Sequence, residues 1–124
     1  SNGFNSPEFI KIAGAAADGV IVGTPWFPNK EDQKVKDFRK AYKDKYGKEP
    51  DQFAAQAYDA VYLYEAALKK AGSTTDREKF RDALKNIADF VGVTGQFKFN
   101  EKRDPSMEVQ VLQIKNGQFD ALTK

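Results

Sequence analysis

The sequence predicts an α/β fold of about four helices with three to four strands, in a chain that reads as a piece of a larger α/β protein. Three observations carry this. Apolar residues recur at three- and four-residue spacing in four segments, the period of a helix with one buried face. From Thr94 onward the period falls to two, that of a strand with alternating faces. An α/β unit supplies about one strand per helix, yet the chain opens directly on a helix and offers too few strands for its helices.

Ser6 is a good N-cap for the first helix, Pro7 sits where its missing N–H costs nothing, and Glu8 complements the helix dipole. That helix runs to about Ala17 and packs through Phe9, Ile10 and Ala13. Gly19-Val20-Ile21-Val22-Gly23 is apolar and β-branched between glycines, a strand buried on both faces as in a parallel sheet. In Thr24-Pro25-Trp26-Phe27-Pro28 two prolines forbid both helix and central strand. Asn29 can cap a helix from about Lys30 to Tyr46, carried by Val35, Phe38, Tyr42 and Tyr46 and stopped by Gly47. Asp51 caps a longer helix to about Ala71, with an apolar stripe of Ala54, Ala57, Val61, Tyr64 and Leu68 ended by Gly72. Thr75 and Glu78 have the spacing of a capping box, opening a helix that packs through Phe80, Ala83, Leu84 and Ile87. Beyond it, Phe97 and Phe99 share one side of a strand. Met107, Val109 and Val111 alternate before Leu112 and Ile114 change face, which suggests a bulge. Asn116-Gly117 is the strongest hairpin-turn signal.

With 124 residues, 40% of them hydrophobic and 31% charged, the chain can bury one modest core and is not disordered. No apolar run approaches the roughly 20 residues of a membrane span. Any export signal is expected to lie outside this sequence. The 20 basic and 18 acidic side chains are interleaved, as from Lys34 to Lys45, so no face is basic enough to point to nucleic acid. The absence of His and Cys excludes thiol nucleophiles, thiolate zinc sites and Ser-His or Cys-His pairs, and no cofactor is expected. Glycine-rich phosphate loops are missing. The tract Asn100-Glu101-Lys102-Arg103-Asp104 lacks the calcium-loop pattern, contains two cations and reads as a solvated turn. Tyr42, Tyr46, Tyr58, Tyr62 and Tyr64 could form a stacking platform for single strands, but their helical spacing favours packing.

A resemblance spans almost the whole chain in order. Gly3-Phe4-Asn5-Ser6-Pro7-Glu8-Phe9-Ile10-Lys11, then Gly19 to Pro25, resembles the C-terminal half of type I periplasmic binding proteins of the branched-chain amino acid ABC-importer family. Tyr46-Gly47-Lys48-Glu49-Pro50 leading into Ala57-Tyr58-Asp59-Ala60-Val61 looks like the family's tyrosine-glycine…proline signature and the helix after it. The likeness continues through Asp76 to Leu84, Val93 to Asn100 and Gln113 to Gly117. No single motif is diagnostic; the ordered set is.

The resemblance implies a fragment of a fold with two Rossmann-like lobes that close on a small ligand about crossing segments. Residues 1–25 would be a second-lobe piece and hinge, 26–105 a first-lobe piece, and 106–124 a returning strand and hairpin. Thr24, Pro25, Trp26 and Pro28 would be hinge residues; Trp26 and Phe27 also suit core packing. Phe53 has two readings, a core aromatic at the helix start or, as the resemblance implies, the aromatic that lines the cleft from the first lobe. Gln56, one turn on, could present an amide to the same cleft or to solvent. Asn2 falls about where amino-acid-binding members carry an acid for the ligand ammonium. An amide accepts a hydrogen bond there but supplies no counter-charge.

The expected function is capture of a small amino acid or similar polar ligand outside the cytoplasmic membrane, in the periplasm or as a lipoprotein, for delivery to ABC permease subunits. The alternative is a sensory domain of the same fold coupled to a signalling partner; an enzyme is not expected. Without its partner strands, the chain is expected to self-associate or exchange strands.

Overall fold

The Ser6 hydroxyl accepts a hydrogen bond from Glu8 N at 3.2 Å, and Pro7 opens α1 (Pro7–Ala13) as its sequence position requires. The computed structural model describes residues 2–122, Asn2 by its backbone. A short 3₁₀ turn, Asn2–Phe4, precedes α1, and Phe4 stacks on Phe9 with centroids 4.8 Å apart. The helix is shorter than its apolar pattern suggests. Gly14, at φ 54°, ends the α geometry, and a 3₁₀ turn carries the chain on to Ala17.

β1 (Ile21–Thr24) is not the doubly buried parallel strand expected. It pairs antiparallel with β5 (Gln110–Lys115), Val22 opposite Leu112, and stands at a sheet edge. Val22 and Thr24 are fully buried while Ile21 is 54% exposed, so its β-branched run has one covered face. All strand pairings among the described residues are antiparallel. β6 (Gln118–Ala121) completes this sheet in the order β1-β5-β6. Asn116 and Gly117, at φ 51° and 73°, form the two-residue turn between β5 and β6, as the Asn-Gly pair foretells. Asn116 N also donates to Asp18 Oδ1 at 2.8 Å, tying the turn to the loop after α1.

The helices after the prolines show how capping chemistry chooses between neighbours. α2 (Gln33–Tyr46) is capped by Asp32, whose carboxylate accepts from Lys34 N at 2.8 Å; Asn29 instead sits in a turn closed by Lys30 N to Phe27 O. α3 (Gln52–Ala71) is capped by Asp51 and ended by Gly72, both as expected. α4 (Arg77–Lys85) is capped by Asp76, not by the Thr75–Glu78 box. Asp76 Oδ1 accepts from Glu78 N at 3.1 Å and Lys79 N at 3.0 Å, while the Ser73 hydroxyl takes up Thr75 N and Asp76 N. A carboxylate next to a hydroxyl wins a helix N-terminus because its charge also meets the dipole.

The stripe expected to bury α3 is the wrong one. The buried residues are Gln52, Ala55, Asp59, Leu63 and Ala67, whereas Ala57, Val61 and Tyr64 are exposed, Val61 by 67%. From Gln52 to Tyr64 the only charged residue is Asp59, so the helix offers apolar faces on two sides and periodicity cannot choose between them. The face that wins meets α4 and β2. Trp26, Val35, Phe38, Ala55 and Val93 form the core, with the Trp26 and Phe38 rings edge to face at 5.7 Å. Of the residues expected to bury α4, Ala83 and Ile87 are buried and Phe80 is half-buried beneath Tyr64.

A second sheet, β2-β3-β4, is built from β2 (Phe90–Gly92), β3 (Gly95–Phe99) and β4 (Pro105–Met107). Among the described residues six short strands thus stand where three to four were expected; β2 and β4, at three residues each, are too short to show a period. Phe97 and Phe99 share the half-buried side of β3. The change of face after Val111 is not a bulge. Met107 belongs to this sheet and Gln110 to the other, so the chain changes sheets between them. Val111 and Leu112 then fall on opposite faces of β5, so Leu112 and Ile114 are buried where Val109 and Val111 are exposed. The tract from Asn100 to Asp104 is an exposed turn held by its own Asn100 side chain, which accepts from Lys102 N and Asp104 N at 2.9 Å. Among the described residues no group of His, Cys, Asp and Glu could hold a metal, and no helix is long and apolar enough to cross a membrane.

Candidate ligand-binding site

Asp51 Oδ1 accepts from Ala54 N at 2.9 Å, and this cap fixes the direction of the residues that follow it. Successive helical residues point about 100° apart. Gln52 therefore turns fully inward while Phe53, its neighbour, turns out and is 56% exposed. The core reading of Phe53 fails on that exposure; it stands free at the helix start. Gln56 is half-buried and lines a groove of about 370 Å³ with Leu84, Phe90 and Phe97. Phe53 is not among the residues that line this groove. Asn2 lies in the 3₁₀ turn beside β1, and its side chain lies outside the described residues.

The four hinge candidates divide by environment. Thr24 ends β1, fully buried, and Trp26 is 2% exposed in the core. Pro25 and Pro28 are half-buried, and the Pro28 carbonyl accepts from Arg39 Nη1 at 2.8 Å. Around Thr24 lies a polar cluster that sequence reasoning missed. Asn5 Nδ2 donates to Thr24 Oγ1 at 2.7 Å and to the Trp26 carbonyl at 3.1 Å. The Thr24 hydroxyl reaches Gln52 Oε1 at 3.4 Å. Asn5, Thr24 and Gln52 are all buried. The only sequence signal was a Gln just inside a capped helix start, where an exposed residue is the ordinary expectation.

In sequence Asp59 stands out only as part of the Ala57–Val61 motif, yet it organises the far side of α3. Its Oδ1 accepts from Val93 N at 2.8 Å, and its Oδ2 accepts from Thr94 N at 2.8 Å and Thr94 Oγ1 at 2.5 Å. Val93 and Thr94 are the buried two-residue turn joining β2 to β3. Their N–H groups have no ladder partner, and the buried carboxylate satisfies them. Gly92 is required beside it, because a Cβ there would overlap the Asp59 carboxylate.

A wider groove of about 480 Å³ runs between α2, α3 and β2, with Phe38, Tyr58, Tyr62 and Val91 in its wall and Lys34 and Asp37 at its rim. Lys34 Nζ donates to the Val91 carbonyl at 2.9 Å. The hydrogen bond with Tyr62, then burial and the charge of Asp59, push the Tyr58 hydroxyl up to about 12. The folded chain therefore holds this proton where the unfolded chain has lost it. Between about pH 10 and 12 stability is expected to fall, and Tyr62→Phe should move the tyrosinate absorbance of Tyr58 towards its ordinary range. Tyr58 is 39% exposed, so the stability change is small.

The family model described as periplasmic binding protein matches residues 1–118. The chain belongs to that family. It is 34% identical, over 112 residues and 90% of its length, to the Leu/Ile/Val-binding protein homolog 1 of Brucella abortus. The leucine binding protein LivK of Thermotoga maritima superposes with a TM-score of 0.85 and 35% identity, over 98% of this chain and 35% of that one. The branched-chain amino acid transporter substrate binding protein LivJ of Streptococcus pneumoniae, solved with isoleucine, gives 0.84 and 34% over 97% of this chain and 34% of that one. The chain spans 29% of the length of the curated relative it matches.

Proposed function

We propose that this chain is part of an extracytoplasmic receptor that captures a small amino acid of the branched-chain type and passes it to an ABC permease. The observation that carries the reading is the ordered likeness, over 97% of this chain, to a substrate binding protein solved with isoleucine. Within the chain, Phe53 supports it: a large aromatic at a capped helix start, more than half exposed, is available to lie against an aliphatic side chain. The work done is capture by lobe closure about the Thr24–Pro28 segment, with no bond made or broken. Asn2 would accept from the ligand ammonium without offering it charge.

Phe53→Ala in the parent protein tests the assignment. A bound ligand raises the unfolding midpoint by mass action, about 2.7 kcal/mol at a hundredfold excess over Kd. Leucine, isoleucine or valine should raise the midpoint of the wild type. The variant should need at least about tenfold more ligand for the same rise. An unchanged ligand requirement would remove Phe53 from the cleft. No rise with any aliphatic amino acid would remove the ligand class.

The isolated chain is expected to self-associate. It exposes Val61, Tyr62 and Tyr64 on α3, and β1, β6, β2 and β4 all stand at sheet edges. Light scattering should give a mass that rises with concentration; a monodisperse monomer throughout contradicts this.

A further inference from the structure

We propose that Thr24 and Gln52 form a positioning latch: one hydroxyl proton chooses between an acceptor inside the crossing segment and an acceptor on the helix that carries Phe53. The inference rests on the receptor reading for its purpose, but its geometry stands independently. Thr24 Oγ1 accepts two hydrogen bonds, from Asn5 Nδ2 at 2.7 Å and from Trp26 N at 3.1 Å. Its single proton faces two acceptors at the same distance, the Trp26 carbonyl at 3.4 Å and Gln52 Oε1 at 3.4 Å. Both are long for an O–H···O bond, which settles near 2.7–2.8 Å. Closing the gap between β1 and the start of α3 by about 0.6 Å would make the bond to Gln52 Oε1 a full one and draw the proton from the Trp26 carbonyl, whereas widening it would leave the proton to that carbonyl.

The groups belong to three separate stretches of chain: the loop before α1, the end of β1 and the first residue of α3. All three side chains are buried, so water does not replace a lost partner. Phe53 follows Gln52 directly, so any movement that re-seats Gln52 carries Phe53 with it. Asn5 holds the Thr24 oxygen from the other side and keeps the choice with the proton alone. The latch contains no titratable group and should act independently of pH.

The test uses the parent protein, with any cysteine outside this chain replaced by serine, labelled at K11C and K40C, exposed positions on α1 and α2. Electron–electron distance distributions are recorded without ligand, and leucine affinity and urea midpoints are measured alongside. Gln52→Met removes the acceptor on the helix and should move the ligand-free distribution to longer, broader distances. Leucine affinity should change by about three- to tenfold. Thr24→Val should do the same, and Thr24→Ser, which keeps the hydroxyl, should behave as wild type. Distributions that superimpose on wild type while only the urea midpoint falls would overturn the latch and leave a structural hydrogen bond. A wild type that binds no amino acid would overturn the receptor reading, and the ligand-free distributions would still decide the latch.

Discussion

Asp59→Ala is expected to cost about 3–5 kcal/mol of unfolding free energy, out of the roughly 5–15 that a domain possesses. The carboxylate accepts three hydrogen bonds from Val93 and Thr94, and its removal orphans two buried N–H groups and a hydroxyl in a turn that water does not reach. Asp59→Asn keeps the shape but turns an N–H₂ towards the turn's donors, so it should lose nearly as much. Gly92→Ala should resemble Asp59→Ala, since the added methyl occupies the carboxylate's place. Urea unfolding measures all three. A loss below 1 kcal/mol for Asp59→Ala would mean that the turn finds other acceptors and that α3 is held by apolar packing alone.

Trp26→Ala should lose about 3–5 kcal/mol, the usual cost of emptying a large aromatic from a core. Trp26 is 2% exposed, meets Phe38 edge to face and touches the cluster that joins α2, α3 and the β2–β3 turn. The substitution removes the only tryptophan of this chain, so the transition must be followed by circular dichroism and not by fluorescence. Phe53→Ala provides the contrast. With its ring more than half exposed, it should change stability by less than about 1 kcal/mol. A Phe53→Ala loss as large as that of Trp26→Ala would return Phe53 to the core.

Much of the fold was legible because it is written in short-range chemistry. Ser6, Asp51, Gly47, Gly72 and Asn116-Gly117 act within a few residues of themselves, and each does what its type does in isolation. Where two local candidates competed, at Asn29 against Asp32 and Thr75 against Asp76, the carboxylate prevailed, a preference that charge alone could have supplied. The errors came from long-range choices. α3 has apolar residues on two faces, and which one is buried depends on what α4 and β2 present. The apparent bulge after Val111 was the two faces of one strand: Val111 and Leu112 are neighbours in β5, one on its exposed side and one on its buried side, and apolar residues on both faces hide which is covered. The site was less legible still. Phe53 can be singled out from its position at a helix start, but Asn5, Thr24 and Gln52 meet across 19 and 28 residues of sequence, and nothing local announces that a glutamine will be buried.

Calorimetric titration of the parent protein with leucine, isoleucine and valine tests the receptor assignment most directly. The expected result is one-to-one binding of at least one of them, with Kd about 1 μM or tighter and weakened by Phe53→Ala. Absence of binding heat for all three, at several temperatures and with the protein shown to be folded, would contradict it and direct the search to ligands without an ammonium group.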